Sequence, residues 1–247
     1  MISLISIVAI GFFLGMRHAT DPDHVIAVTT IVSQQRSAGR AAWIGIVWGL
    51  GHTVTIFLVG SAIILFNLVI PVRLGLAMEL SVGFMLIVLG GWNLLSFAQA
   101  LPGAASADGQ AQHTHPHPHQ RFGQDSWLER SLGSKSWYML LRPLIVGLVH
   151  GLAGSAAVAL LILASIRNTN WALTYLLVFG VGTIAGMMVI TMSIASAFKF
   201  VGDRFQAFGR RLALVSGVVS VAFGLVVAYQ ICVVQGIFSS NPHWTPH

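Results

Sequence analysis

Six long apolar runs dictate what this chain can fold into. They fall at about Ile2–Val32, Ala41–Ile70, Leu76–Ala98, Leu141–Ile166, Trp171–Phe198 and Leu212–Val234. Each reaches the roughly 20 residues that cross the hydrocarbon core of a bilayer. There, every backbone N–H and C=O must find a partner within the protein, so such runs become helices. Charged residues make up 8% of the chain and the mean hydropathy is +0.81, whereas a soluble domain carries about 25% charge. The expected fold is an all-α integral membrane protein with six transmembrane helices. The first run is over-long for one crossing and contains Pro22, so its helix is expected to break near that residue. No cleaved leader is expected, because Ile2–Gly15 has no basic segment before it and leads straight into polar residues.

Basic residues set the expected orientation. Arg36 and Arg40 follow the first run; Arg121, Arg130, Lys135 and Arg142 follow the third; Lys199, Arg204, Arg210 and Arg211 follow the fifth. The opposite side holds only Arg73 and Arg167. This bias places the basic side in the cytosol and both termini outside. The net charge of +6 therefore reflects topology, and nucleic acid is not an expected partner. The single cysteine, Cys232, excludes an intramolecular disulfide and a thiolate metal cage.

The two halves of the chain resemble each other. Gly15-Met16-Arg17-His18-Ala19 aligns with Gly147-Leu148-Val149-His150-Gly151 at an offset of 132, and Trp48-Gly49-Leu50-Gly51-His52 aligns with Phe179-Gly180-Val181-Gly182-Thr183 at 131. Gly83 and Gly90 match Gly217 and Gly224 at 134. An odd number of helices per unit makes the second unit run inverted, as in many secondary transporters. The expected organisation is a three-helix repeat over 1–99, a cytosolic flexible loop over 100–140, a second repeat over 141–236 and a short external tail over 237–247. The pairs Gly11/Gly15, Gly45/Gly49, Gly147/Gly151 and Gly182/Gly186 allow helix backbones to approach closely beside the polar positions.

Those polar positions carry the chemistry. Arg17-His18-Ala19-Thr20-Asp21-Pro22-Asp23-His24 sets ionisable groups where each costs about 2.5–3.5 kcal/mol to insert. Two imidazoles and two carboxylates suit a divalent transition metal. On a regular helix, residues six apart lie about 240° apart in azimuth, so His18 and His24 can share an ion only if the helix is interrupted. An ion-pair network of Arg17 with Asp21 or Asp23 explains Arg17 as charge balance. It leaves a second aspartate and two histidines without a purpose. His52 and His150 are the other intramembrane histidines and are expected as ligands or as supports for ligands. The tract His113-Thr114-His115-Pro116-His117-Pro118-His119 cannot build a core and reads as an exposed metal-capture segment. Glu79 opens the third helix near the outer interface, where it is expected to be solvated. Met187, Met188 and Met192 read as packing residues.

The pattern of His18, four residues, then Asp23-His24, preceded by Arg17, resembles the signature of the nickel/cobalt transporter family. Leu50-Gly51-His52-Thr53 also resembles a histidine-bearing segment of that family. The chain is most similar to its shorter, urease accessory protein H-like branch. Larger members have eight helices and a later signature with an Asp and a Glu, whereas His150–Ala157 here has no carboxylate. The resemblance implies recognition of Ni²⁺ or Co²⁺ by His18, Asp21, Asp23 and His24, with the ion as substrate and no tightly bound cofactor. It also implies residence in a bacterial inner membrane.

Uptake of such an ion is the leading expectation. Export is the nearest alternative, and a membrane metallochaperone serving urease or hydrogenase maturation proteins is another. An intramembrane metallohydrolase would need a general base beside a bound water, and no His-Glu-x-x-His is present. No Gly-x-x-x-x-Gly-Lys-Ser/Thr loop for nucleotide occurs either. The chain is not expected to be an enzyme.

Overall fold

The computed structural model describes residues 4–33, 35, 37–66, 68, 70–99, 141–153, 168–204 and 206–244. The loop expected over 100–140, with its histidine tract, lies outside the described residues, as does 154–166 of the fourth apolar run. Among the described residues every regular element is helical. Four helices are long and apolar enough to cross a membrane: α3 (Ala38–Phe66), α4 (Val72–Gln99), α6 (Thr169–Arg204) and α7 (Gln206–Tyr229). Three shorter apolar helices accompany them: α1 (Leu4–His18), α2 (Pro22–Val32) and α5 (Leu141–Ala153). The first apolar run is thus two helices. α1 has 15 residues and α2 has 11, about 22 and 16 Å at helical rise.

The break between them has a local cause. Proline lacks an N–H and pushes the preceding residue out of helical geometry. Asp21 accordingly adopts φ −59° and ψ 145°, and Pro22 sits in the first turn of α2. Two tight backbone bonds close the interruption: Thr20 N–H donates to the Arg17 carbonyl (2.8 Å) and Asp21 N–H to that of His18 (3.1 Å). The Thr20 hydroxyl also donates to the Arg17 carbonyl at 2.6 Å.

α6 is the central strut, packed against both α1 and α3, while α4 packs along α7 and α2 touches α4, α6 and α7. The core between them is built by Ala27, Val28, Trp48, Leu86 and Met187. Several backbones meet where only glycine fits. A Cβ on Gly15 would strike the carbonyl of Phe179, and one on Gly147 would strike that of Trp48. Gly182 meets the Phe12 carbonyl as Gly51 meets that of Leu144, and Gly90 meets Gly217 as Gly224 meets Gly83. Each contact converts into its partner when the sequence offsets of 131–134 are applied.

Hydroxyls bind these helices further. The Thr55 hydroxyl donates to the Leu148 carbonyl on α5 at 3.1 Å, and Ser220 donates to that of Leu86 at 2.8 Å. The end of α7 loosens into a π-helical turn over Gln230–Val234, and Gly236 then turns the chain at φ 62°. The segment beyond folds back onto α4. Trp244 Nε1 donates to Glu79 Oε1 at 2.8 Å, and Arg73 donates to the Ser239 carbonyl at 3.2 Å. Glu79, expected to be solvated, instead anchors this returning tail.

Candidate metal centre

Four histidines meet at the break between α1 and α2. His18 is the last residue of α1 and His24 lies in the first turn of α2. His52 comes from the middle of α3, and His150 from α5. Ring centroids lie 4.7 Å apart for His18 and His24, 5.0 Å for His24 and His52, and 4.1 Å for His24 and His150. His24, His52 and His150 are almost wholly buried, His18 is 16% exposed, Asp23 32% and Asp21 46%. The cluster therefore runs from an open rim at Asp21 to a closed floor at His52 and His150.

The polar contacts form two chains. On the rim side, His18 Nδ1 meets Asp21 Oδ2 at 2.7 Å, and His18 Nε2 meets His52 Nε2 at 3.2 Å. On the floor side, Asp23 Oδ1 accepts from the His24 backbone N–H (2.9 Å) and faces His24 Nδ1 (3.0 Å), while Asp23 Oδ2 faces His150 Nε2 (3.0 Å). His150 Nε2 also lies 3.2 Å from His24 Nδ1. Three ring nitrogens, His24 Nε2, His52 Nδ1 and His150 Nδ1, are buried with no hydrogen-bond partner among the described residues. A buried lone pair without a partner is costly, and a cation would satisfy it.

Two donor groups have their atoms within 4.8 Å of one another: His18, His24 and His52, and separately Asp23, His24 and His150. Neighbouring donors of an octahedral ion with bonds of about 2.1 Å stand about 3.0 Å apart. The observed separations of 3.0–3.2 Å are close to that spacing. Trp48 and Phe179 wall the cluster. Trp48 stacks on His24 with rings 7° from parallel, and Phe179 lies 5.5 Å from His18. Both stand at matching positions of the two halves. Their aromatic character beside Gly49 and Gly180 is the signal that the sequence offers for them.

Arg17, expected as charge balance, is exposed and forms no ion pair with Asp21 or Asp23. Its helix ends one residue later, and Asp21 turns to His18 instead. His113, His115, His117 and His119 lie outside the described residues.

A family model described as high-affinity nickel-transport protein, NicO, matches residues 4–237. The chain belongs to the NicO family. NicO proteins are nickel transporters and not enzymes, and this chain is accordingly a multi-pass membrane protein of a metal-transport family. It is also 32% identical over 237 residues to the urease accessory protein UreH of Bacillus sp. (strain TB-90), covering 96% of each chain. No solved structure matches it.

Proposed function

We propose that the chain moves Ni²⁺, or Co²⁺, inward across a bacterial inner membrane through His18, Asp21, Asp23, His24, His52 and His150. One observation carries this reading: four histidines and a carboxylate converge from four helices at a break in an apolar run. Imidazole and carboxylate can be protonated and lack the grip of thiolates, so such a site can release its cargo. A dication moving inward down 100 mV gains about 4.6 kcal/mol, twice the single-charge value, which is enough to drive uptake without nucleotide.

The paired glycine contacts support two inverted three-helix repeats about the site, with α1 and α2 together as the first helix and α5 opening the fourth. In this arrangement both termini lie outside and the loop with His113, His115, His117 and His119 faces the cytosol to receive the ion. Arg17, exposed and one residue before His18, offsets negative charge as cargo enters. The name of the UreH relative extends the proposal to nickel supply for urease maturation.

Flux of Ni²⁺, Co²⁺ and Zn²⁺ into liposomes containing the purified chain tests the proposal. Nickel entry driven by an inside-negative potential and lost in His18→Ala and Asp23→Ala is expected. Binding without flux would make the protein a metallochaperone, and overexpressing cells with lowered nickel and raised tolerance would make it an exporter.

A further inference from the structure

The two aspartates and the histidines have different partners, and this separates their roles. Proton placement follows from those partners. His18 Nδ1 lies 2.7 Å from a carboxylate oxygen of Asp21, so it carries the proton and donates it there. The lone pair of His18 is then on Nε2, directed at His52 Nε2 3.2 Å away. His24 Nδ1 faces Asp23 Oδ1 at 3.0 Å and is likewise the protonated nitrogen. Its Nε2 is left with a lone pair, buried and without a partner among the described residues. His150 Nε2 donates to the other oxygen of Asp23 at 3.0 Å, and the His24 backbone N–H holds the first oxygen. Asp23 is thereby fixed through both oxygens, and Asp21 through one.

We infer that the cargo is held by the Nε2 atoms of His18, His24 and His52, with Asp21 and Asp23 as positioning residues that orient His18 and His24. This rests on the transport reading and refines its site. A ligating imidazole whose other nitrogen donates to a carboxylate is held in one tautomer and one orientation, and its donor nitrogen becomes more basic. Here two of the three imidazoles carry that support. As the ion enters, the proton that His52 Nε2 shares with His18 moves to His52 Nδ1, which is buried and has no partner among the described residues.

The competing group of Asp23, His24 and His150 fits less well. An ion there must displace both N–H···O contacts to Asp23, whereas the His18–His24–His52 set keeps them and uses His24 Nε2, which has no partner among the described residues. A nitrogen-only set also has a consequence for selectivity. Imidazole suits nickel, cobalt, zinc and copper, whereas magnesium, calcium and manganese prefer carboxylate and water oxygens.

Ni²⁺ titration of the full-length chain in detergent, by calorimetry, tests the division of roles through a double-mutant cycle. Asp21→Ala is expected to weaken binding about 10–100-fold, the usual effect of losing such a support. Asp21→Asn recovers most of the affinity, because its amide oxygen still accepts the His18 Nδ1 proton. In a His18→Ala background, Asp21→Ala adds less than about twofold, since Asp21 then has no imidazole to orient. An undiminished loss in that background would make Asp21 a ligand and overturn the inference. Asp23 and His24 form a second cycle with the same expectation.

X-ray absorption of the Ni²⁺-saturated chain with His113, His115, His117 and His119 replaced by alanine supplies a second readout, free of metal held by that tract. Three imidazoles are expected, and they persist when Asp21→Ala is added; two or fewer before that addition would also overturn the assignment. Three imidazoles with no liposome flux would sink the transport reading and leave the ligand assignment standing.

Discussion

Adding one methyl group at Gly15 tests whether the site depends on the distance between α1 and α6. A Cβ built there strikes the Phe179 carbonyl oxygen and lies 2.9 Å from both the Phe179 carbonyl carbon and the Thr183 nitrogen, where ordinary contact is 3.4–4 Å. All three obstacles are backbone, so no rotamer change relieves them. From the 2.9 Å contacts alone the helices must separate by about 0.5 Å, and the carbonyl oxygen demands more. Overpacking of this kind costs about 1–3 kcal/mol. Removing a helical glycine returns about 1 kcal/mol. With no flexible neighbour to yield, the cost lies at the upper end, and a net loss of about 2 kcal/mol is expected. His18 is one turn further along α1, 3.2 Å from His52. Binding sites tolerate about 0.5 Å of misplacement, and 1 Å can cost about 100-fold in rate. Gly15→Ala is therefore expected to reduce Ni²⁺ flux into liposomes by about 10–100-fold and to lower the thermal midpoint in detergent. Gly147→Ala should behave alike, because it meets the Trp48 carbonyl beside His52. Gly39→Ala and Gly91→Ala have nothing within 4 Å and serve as controls, neutral or slightly stabilising. Wild-type flux and midpoint in Gly15→Ala would refute the argument that this contact sets the His18–His52 distance.

Two further perturbations separate stability from transport. Thr55→Val removes the hydroxyl bond to the Leu148 carbonyl, and interhelical bonds of this type average about 0.6 kcal/mol. A small drop in thermal midpoint with flux within a few-fold of wild type is expected, and a loss above about 2 kcal/mol would contradict it. Trp244→Phe keeps a ring over Gly75 but deletes the N–H that Glu79 accepts. It should cost about 1 kcal/mol and leave Ni²⁺ flux unchanged. Reduced flux at unchanged stability would show that the returning tail takes part in transport.

Much of the fold, and the residues of the candidate site, are legible in the chain itself. Apolar runs in hydrocarbon have one backbone solution, so the all-helical membrane architecture followed from composition and run length alone. The break at Pro22 was legible for an equally local reason, since proline cannot continue a hydrogen-bonded turn and constrains Asp21 before it. Picking out the candidates His18, Asp21, Asp23, His24, His52 and His150 also needs only chemistry, because polar groups that costly to insert are seldom accidental. The family membership rested on the same short motif and is carried by a match over residues 4–237.

Tertiary structure decided who touches whom. The spacing of Arg17 leaves an ion pair with Asp21 or Asp23 open as an alternative, yet Asp21 turns to His18 Nδ1 because the helix ends between Arg17 and Asp21. Asp21 and Asp23 are indistinguishable as residue types, but one meets a single part-exposed imidazole and the other, itself half-buried, bridges two buried ones. The tail was expected simply to lie outside, while Gly236 turns it so that Trp244 reaches Glu79 across 165 residues. None of these follows from local pattern, because each depends on the distance between helices remote in sequence. That distance is set by glycines whose missing side chains let the backbones meet, and it brings His18 from α1, His52 from α3 and His150 from α5 within reach of one another.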